Sequence, residues 1–273
     1  MLTRIITAIV GIAVFLPIMY FSGTYVFDIA VAVISLVAMT ELLSCVGMKK
    51  SIAVSFPVYG YALALPLYME VSYKYIYNLS AMLIFFMLCI AVLSRGKYSI
   101  EKNAAISGFA IYIATSLTGI LLLRRLDCGQ YIVYLVFIGA WVTDTAAYFV
   151  GRFFGKHKLI PDVSPKKTVE GAVGGVVFTV AAFVAYGFIV QHYAGIMANI
   201  PVLAAAGLAS SIVSQLGDLI MSKLKRTYDI KDFGHLLPGH GGVLDRFDSI
   251  LAVSALLMII TSRPDLVWFF RVL

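Results

Sequence analysis

The hydrophobic positions of this chain form long continuous runs, and the polar positions between them are few. A helix that crosses the hydrocarbon layer of a membrane needs about 20 apolar residues. Transmembrane barrels instead use short segments of alternating polarity, which do not match these runs. The pattern therefore predicts an all-α polytopic membrane protein with about nine transmembrane helices. The predicted spans are residues 4–22, 25–46, 52–72, 76–94, 104–123, 131–153, 171–191, 199–220 and 249–262.

Composition supports this fold class. Hydrophobic residues make up 61% of the 273 residues and charged residues only 13%, and the mean hydropathy is +0.95. An average soluble domain is nearer half apolar and a quarter charged, so a water-soluble globule and a disordered chain are both excluded. We expect about five spans within residues 1–123. A C-terminal region, residues 124–273, carries two polar loops, 154–170 and 221–248.

The net charge of +7 reflects where the basic residues lie along the spans. With the N-terminus inside, 16 of the 21 lysines and arginines fall in cytoplasmic segments and five fall outside, as the positive-inside rule expects. Basic loops beside anionic lipid explain this charge without nucleic acid as a partner. The three cysteines, Cys45, Cys89 and Cys128, are interpreted as buried thiols because they lack metal-site or disulfide spacing.

The second polar loop carries the densest chemistry, over residues Ser222–Asp248. Its basic side chains could neutralise phosphates, and the backbone amides of Gly239–Gly242 could approach a phosphate closely. Asp245 and Asp248 lie one helical turn apart and could hold a divalent cation. The alternative is a solvated loop beside the membrane with ordinary capping aspartates.

Two further carboxylates lie inside predicted spans. Asp218 continues a polar stripe of span 8 that includes Gln215, and Asp144 lies deeper, in span 6. A carboxylate within a membrane helix usually faces protein or a water-filled cavity. The alternatives are an interfacial aspartate for Asp218 and a structural hydrogen-bond node for Asp144.

The first polar loop contains a second basic cluster. Ser164 is predicted to cap a helix whose first residue is Pro165, so that Lys166 and Lys167 lie over an anion-binding helix N-terminus. The spacing Gly171–Gly175 predicts close contact with another helix. The alternative is a cytoplasmic anchor of positive-inside lysines.

Carboxylates for Mg²⁺ and cations for phosphates are the components of phosphoryl or nucleotidyl transfer. The residues alone therefore indicate a Mg²⁺-dependent enzyme that handles phosphates at a membrane.

The stretch Ser222–Asp248 resembles the signature of the phosphatidate cytidylyltransferases, also called CDP-diacylglycerol synthases. The pattern is Ser-x-apolar-Lys-Arg, then Lys-Asp, then Pro-x-His-Gly-Gly and Asp-Arg-apolar-Asp, and every fixed position is met. Residues Ser164–Gly171 resemble a second stretch typical of that family. The resemblance implies transfer of CMP from CTP to phosphatidate, with CDP-diacylglycerol and pyrophosphate as products. It also implies a requirement for Mg²⁺, a homodimer, and a place in the bacterial inner membrane with the active site facing the cytoplasm.

On this resemblance we assign roles to the polar residues. Asp218 and Asp245 would hold the metal, with Asp144 and Asp248 beside them, and a second, monovalent cation is left open. The catalytic set comprises Asp144, Asp218, Lys225, Arg226, Lys231 and Asp245. The residues assigned to substrate and phosphate binding are Ser164, Lys166, Lys167, Ser222, Asp232, His240, Gly241, Gly242 and Arg246. Arg246 could alternatively pair with a nearby carboxylate.

Two other functions use some of the same features. A CTP-dependent kinase of a lipid alcohol would transfer the γ-phosphate and release CDP instead of pyrophosphate. A transporter would use Asp144 and Asp218 as an ion relay, and would not need the His-Gly-Gly turn.

Overall fold

The structure is a computed structural model, and it describes residues 2–67, 69–262 and 268–272. Nine helices lie within this described part of the chain, and they account for most of it. In chain order they are α1 Leu2–Tyr20, α2 Tyr25–Cys45, α3 Ile52–Leu67, α4 Met69–Leu93, α5 Ile100–Arg125, α6 Gly129–Phe154, α7 Val169–Ala194, α8 Ile200–Thr227 and α9 Leu244–Thr261. Each predicted span corresponds to one helix.

Six of the described helices are long and apolar enough to cross a membrane: α2, α5, α6, α7, α8 and the part of α4 over Tyr75–Leu93. Two shorter apolar stretches, Ile9–Tyr20 and Ile52–Leu67, lie in α1 and α3. Helix α9 falls outside this group because its 18 residues include three charged ones near its start. The chain is therefore a multi-pass membrane protein built almost entirely from helices.

Four short strands were not predicted. They are β1 Lys158–Ile160, β2 Ser164–Thr168, β3 Met197–Ala198 and β4 Phe270–Arg271. Strand β1 pairs antiparallel with β2, and β3 pairs antiparallel with β4. The first pair forms a hairpin within the polar loop between α6 and α7.

The prediction that Ser164 caps a helix beginning at Pro165 is wrong. Those residues belong to β2, and α7 begins only at Val169. The cap is Thr168, whose Oγ1 accepts a hydrogen bond from the N–H of Gly171 at 3.2 Å. Lys166 and Lys167 therefore lie on a strand and not over a helix N-terminus, because pairing with β1 keeps this segment extended.

The polar loop predicted over residues 221–248 is shorter than expected because both flanking helices extend into it. Helix α8 continues to Thr227, and α9 begins at Leu244. Ser222, Lys225 and Arg226 therefore lie on the last turns of α8. At the N-terminal end, α3 is also shorter than the predicted span 52–72, since it ends at Leu67 and α4 begins at Met69.

The chain divides into two compact units. Unit 1 comprises Met1–Leu121 together with Tyr228–Arg246, and unit 2 comprises Leu122–Thr227 together with Phe247–Leu273. In unit 1, α3 packs against α2 and α4, and Met39, Leu42 and Leu43 of α2 are completely buried. Residues 228–246, which contain the Pro-x-His-Gly-Gly stretch, thus cluster with the N-terminal helices.

Unit 2 is organised around α7, which packs against both α6 and α8. Glycines allow α6 and α7 to approach closely. A Cβ added at Gly171 would lie 2.6 Å from the carbonyl oxygen of Ala147, and one added at Gly175 would lie 3.3 Å from Thr143. The predicted close contact at Gly171–Gly175 is therefore confirmed.

This packing gives a stability prediction. In Gly174→Ala the new methyl group would lie 2.6 Å from the side chain of Val150, so α6 and α7 must separate slightly. We expect destabilisation by about 1–3 kcal/mol, measured as a lower Tm in detergent. The matched control is Gly108→Ala on α5, where an added Cβ meets nothing within 4 Å. Equal Tm values for the two variants would contradict the predicted packing.

Candidate active site

A lysine–carboxylate pair lies where β2 meets α8 in unit 2. The Nζ of Lys167 is 2.7 Å from Oδ2 of Asp218, and it also donates to the backbone carbonyl of Gln215 at 3.3 Å. The hydroxyl of Ser222, one turn further along α8, donates to Oδ1 of Asp218 at 3.2 Å. Because Thr168 ends the strand and caps α7, Lys167 is held at the junction between these elements.

A second group of polar side chains in unit 2 surrounds the start of α9. Asp248 is only 8% exposed, and its Oδ1 accepts a hydrogen bond from the N–H of Ser249 at 2.8 Å. The hydroxyl of Ser249 in turn donates to Oδ1 of Asp144 at 3.3 Å. Burial disfavours the charged form of Asp248, and the charges of Asp218 and Asp144 disfavour it further, whereas the N–H of Ser249 and Lys225 favour it.

The charges in this group do not balance. Asp248 feels the charges of both Asp144 and Asp218, and two lysines, Lys167 and Lys225, lie beside these three carboxylates. Lys225 is itself buried, at 9% exposed. Burying like charges together is unfavourable unless a cation compensates them. We name these five residues the carboxylate cluster.

Oxygen donors of this kind suit Mg²⁺. Among the residues that the structure describes, no three His, Cys, Asp or Glu side chains form a ready-made metal site. Asp218 instead binds Lys167. The donor chemistry of the carboxylate cluster therefore fits a divalent cation, whereas its geometry in this structure is that of an ion-paired network.

The Pro-x-His-Gly-Gly turn belongs to unit 1, and Asp245 holds it together. Oδ2 of Asp245 accepts hydrogen bonds from the N–H groups of Phe233, at 2.8 Å, and Gly242, at 2.9 Å. Gly241 has φ +86° and leaves no room for a Cβ, which would lie 2.9 Å from the same oxygen. Gly241 is therefore required for two reasons: its backbone is left-handed, and the Asp245 carboxylate occupies the space that a Cβ would need.

Two amides of the turn have acceptors within the protein, and binding of a phosphate by this turn stays a prediction. The N–H of Gly242 binds Asp245, and the N–H of His240 donates to the carbonyl of Leu237 at 2.9 Å. Arg246 is engaged as well, since its Nε and one terminal nitrogen donate to the carbonyl of His240 at 3.0 and 2.8 Å. Within the part of the chain that the structure describes, Arg246 thus binds a backbone carbonyl and forms no ion pair with a carboxylate.

Sequence reasoning missed Glu41 of α2. Its two carboxylate oxygens accept hydrogen bonds from the N–H groups of Val243 and Leu244, each at 2.8 Å. Both partners belong to unit 1, and Glu41 is only 6% exposed. The sequence did contain one signal for Glu41, namely its position within an apolar span. A carboxylate in such a span needs a polar partner.

The remaining assigned residues lie nearer the surface. Ser164 and Ser222 are half-buried, whereas four charged side chains are exposed: Lys166, Arg226, Lys231 and Asp232. Lys166 and Arg226 belong to unit 2, and Lys231 and Asp232 belong to unit 1. The assignment of Asp245 and Asp218 to one metal ion stays a prediction.

The three cysteines are half-buried, and none forms a disulfide. Burial raises the pKa of the Cys128 thiol, which lies between α5 and α6. A raised thiol pKa disfavours the reactive thiolate of Cys128.

Comparison with known proteins identifies the family to which this chain belongs. The model of the cytidylyltransferase family matches residues 2–263. A phosphatidate cytidylyltransferase of Staphylococcus haemolyticus is 38% identical over 267 residues, which cover 95% of this chain and 98% of the relative. A phosphatidate cytidylyltransferase of Bacillus subtilis is 35% identical over 263 residues, which cover 92% and 93% of the two chains. The chain is therefore a nucleotidyltransferase that belongs to the cytidylyltransferase family.

Proposed function

We propose that this chain transfers CMP from CTP to phosphatidate, with Mg²⁺, and so makes CDP-diacylglycerol and pyrophosphate for phospholipid synthesis. An oxygen of the lipid phosphate attacks the α-phosphorus of CTP. The bond between the α-phosphorus and the bridging oxygen breaks, and pyrophosphate leaves with that electron pair. The observation that carries the proposal is the carboxylate cluster, which places charged groups among apolar helices of a cytidylyltransferase.

The reaction brings together two negatively charged substrates. The phosphate of phosphatidate is already an anion, so no strong base is needed, but it must approach a triphosphate. Lys167 and Lys225 would offset this repulsion and stabilise the charge that develops on pyrophosphate. Asp144, Asp218 and Asp248 would hold Mg²⁺, with Asp245 as the further ligand assigned from sequence. When bound, Mg²⁺ supplies additional neutralisation of the phosphate oxygens.

The setting of the reaction is part of the proposal. Phosphatidate is a membrane lipid, and a chain with six helices able to span a membrane has direct access to it. We place the enzyme in the bacterial inner membrane as a homodimer, with its active site facing the cytoplasm. The distribution of basic residues supports this orientation.

The test uses purified protein in detergent with phosphatidate, Mg²⁺ and CTP labelled at the α-phosphate. We expect label in the lipid phase and an equal amount of pyrophosphate. In a parallel assay that contains a lipid alcohol, lipid label obtained only from γ-labelled CTP, together with CDP, would replace the proposal with a lipid kinase. No lipid label from either nucleotide, with folded protein, would overturn both.

Lys225 gives a prediction about substrate binding. In Lys225→Met the long apolar stem remains in its buried position, and only the charge is lost. We expect KM for CTP or phosphatidate to rise about tenfold, which corresponds to about 1.4 kcal/mol. The matched control is Lys223→Met, because Lys223 is exposed on the same helix. Equal kinetics for the two variants would remove Lys225 from substrate binding.

A further inference from the structure

Glu41 binds the backbone at the junction between the Pro-x-His-Gly-Gly turn and α9. Each of its oxygens accepts one N–H, from Val243 and Leu244, at 2.8 Å. Leu244 is the first residue of α9, so the carboxylate lies where the amides of a helix N-terminus are unsatisfied and favour negative charge. The residues in contact are about 200 positions apart in the chain, and therefore this is a tertiary contact.

Two glycines make room for this carboxylate. A Cβ added at Gly242 would lie 2.5 Å from Oε1 of Glu41, and one added at Gly234 would lie 2.6 Å from the same atom. The φ of neither residue lies in the left-handed region, so the glycine requirement at these positions is spatial. The second glycine of the His-Gly-Gly stretch is thus explained by a residue of α2.

Glu41 and Asp245 act on the same short segment. Asp245 binds the N–H of Gly242, and Glu41 binds the next two, those of Val243 and Leu244. Two carboxylates therefore accept hydrogen bonds from three successive amides. Because both carboxylates carry negative charge, Glu41 and Asp245 repel each other. Removing either carboxylate leaves amide groups in a buried place without acceptors, which is unfavourable.

We infer that Glu41 is a positioning residue: it fixes the turn that orients Asp245 for the reaction. This role rests on the proposed function, in which Asp245 is a metal ligand. Residues that orient metal ligands typically change metal affinity or activity by about 10–100-fold when replaced. Glu41 is distant in sequence from the signature residues, and only the fold brings it to them.

The test compares Glu41→Gln with Asp28→Asn in the full-length protein. Both remove one carboxylate charge from a buried side chain of α2, but Asp28 lies 13 positions from Glu41, which is about 20 Å along the helix. Glutamine keeps the reach of Glu41, yet its NH₂ faces an N–H that needs an acceptor. Glu41→Asp is the second variant, since it keeps the charge and loses the reach.

Two measurements separate positioning from folding. Hydrogen exchange reports on the peptide that contains residues 241–246, where we expect roughly tenfold faster exchange in Glu41→Gln and no change in α6–α7. The Mg²⁺ concentration that gives half-maximal CMP transfer should rise about 10–100-fold. A loss of folded protein would lower the maximal rate without moving that concentration.

Each result decides a separate point. The contacts of Glu41 with the N–H groups of Val243 and Leu244 are here called the clamp. Unchanged exchange in Glu41→Gln, or in Glu41→Asp if the first variant does not fold, would show that the clamp does not hold this segment. Faster exchange with an unchanged Mg²⁺ requirement would overturn the positioning role. If the wild-type protein transfers no CMP, the proposed function fails, whereas the exchange measurement still accepts or rejects the clamp.

Discussion

Replacing Asp218 with asparagine should lower the rate of CMP transfer about a hundredfold to a thousandfold while the protein stays folded. Asparagine has the same shape and still accepts the hydrogen bond from Ser222. The variant loses the negative charge that holds Lys167 at 2.7 Å and that we propose binds Mg²⁺. The measurement is initial transfer of α-labelled CMP to lipid at saturating CTP and phosphatidate.

The matched control is Asp162→Asn, because Asp162 is exposed between β1 and β2 of the same unit. Its rate should equal that of the wild-type protein. A threefold lower rate corresponds to about 0.7 kcal/mol of lost transition-state stabilisation. If the rate of Asp218→Asn lies within threefold of wild type, Asp218 has no role in the mechanism.

A double-mutant cycle shows whether Asp218 and Lys167 act together. Lys167→Met alone leaves the carboxylate without its cation, and Asp218→Asn alone leaves the lysine without its anion. Groups that act as a unit are strongly non-additive, so the double variant should lose less activity than the product of the single losses. Additive losses would indicate two independent contributions.

The positions of the helices followed directly from the sequence. Spans such as 25–46 and 131–153 match α2 and α6 to within a few residues, because a continuous apolar run has no other stable structure in a membrane. The ends were less predictable where polar residues continue a helix. The last two turns of α8 carry Lys223, Lys225 and Arg226, and their polarity resembles that of a loop.

The contacts of the polar residues were harder to predict. The segment Ser164–Thr168 has no alternating pattern, and it becomes a strand because β1 lies beside it. In the glycine turn, the N–H of Gly242 is accepted by Asp245, and the next two amides along the chain are accepted by Glu41. The local pattern of polarity specifies neither the pairing of β2 with β1 nor the contact with Glu41, which is about 200 positions away in the chain. The sequence identified the chemistry of the residues, and the fold assigned their partners.

The carboxylate cluster predicts opposite changes in activity and stability when Asp248 is replaced with asparagine. Asp248 is buried and lies within the field of two other carboxylates. Asparagine keeps the acceptor for the N–H of Ser249 and removes a carboxylate whose charged form is disfavoured by burial and by the two neighbouring carboxylates. Without Mg²⁺ the variant should therefore be more stable than the wild-type protein, whereas its transfer activity should fall at least about a hundredfold.

The measurement is the Tm in detergent with a chelator, and then with Mg²⁺ added. Removing about 1 kcal/mol of the cost of burying this carboxylate beside two others should raise the Tm of Asp248→Asn by about 2–4 °C in the chelator. Adding Mg²⁺ should raise the Tm of the wild-type protein, since a ligand that binds the folded state stabilises it, and should raise that of the variant much less. Asp162→Asn again serves as the control, with the Tm and Mg²⁺ response of wild type.

The direction of the Tm change in Asp248→Asn distinguishes a carboxylate cluster that binds metal from one that only stabilises the fold. If the three carboxylates serve mainly to hold the fold through Lys167 and Lys225, removing the Asp248 charge breaks a buried pairing and lowers the Tm, because a buried lysine then loses its anion. If the three carboxylates instead serve to bind a cation that arrives with the nucleotide, they destabilise the protein in the chelator. Replacing Asp248 with asparagine then raises the Tm. A lower Tm with retained activity would therefore exclude Asp248 from metal binding and leave it a structural role beside Ser249.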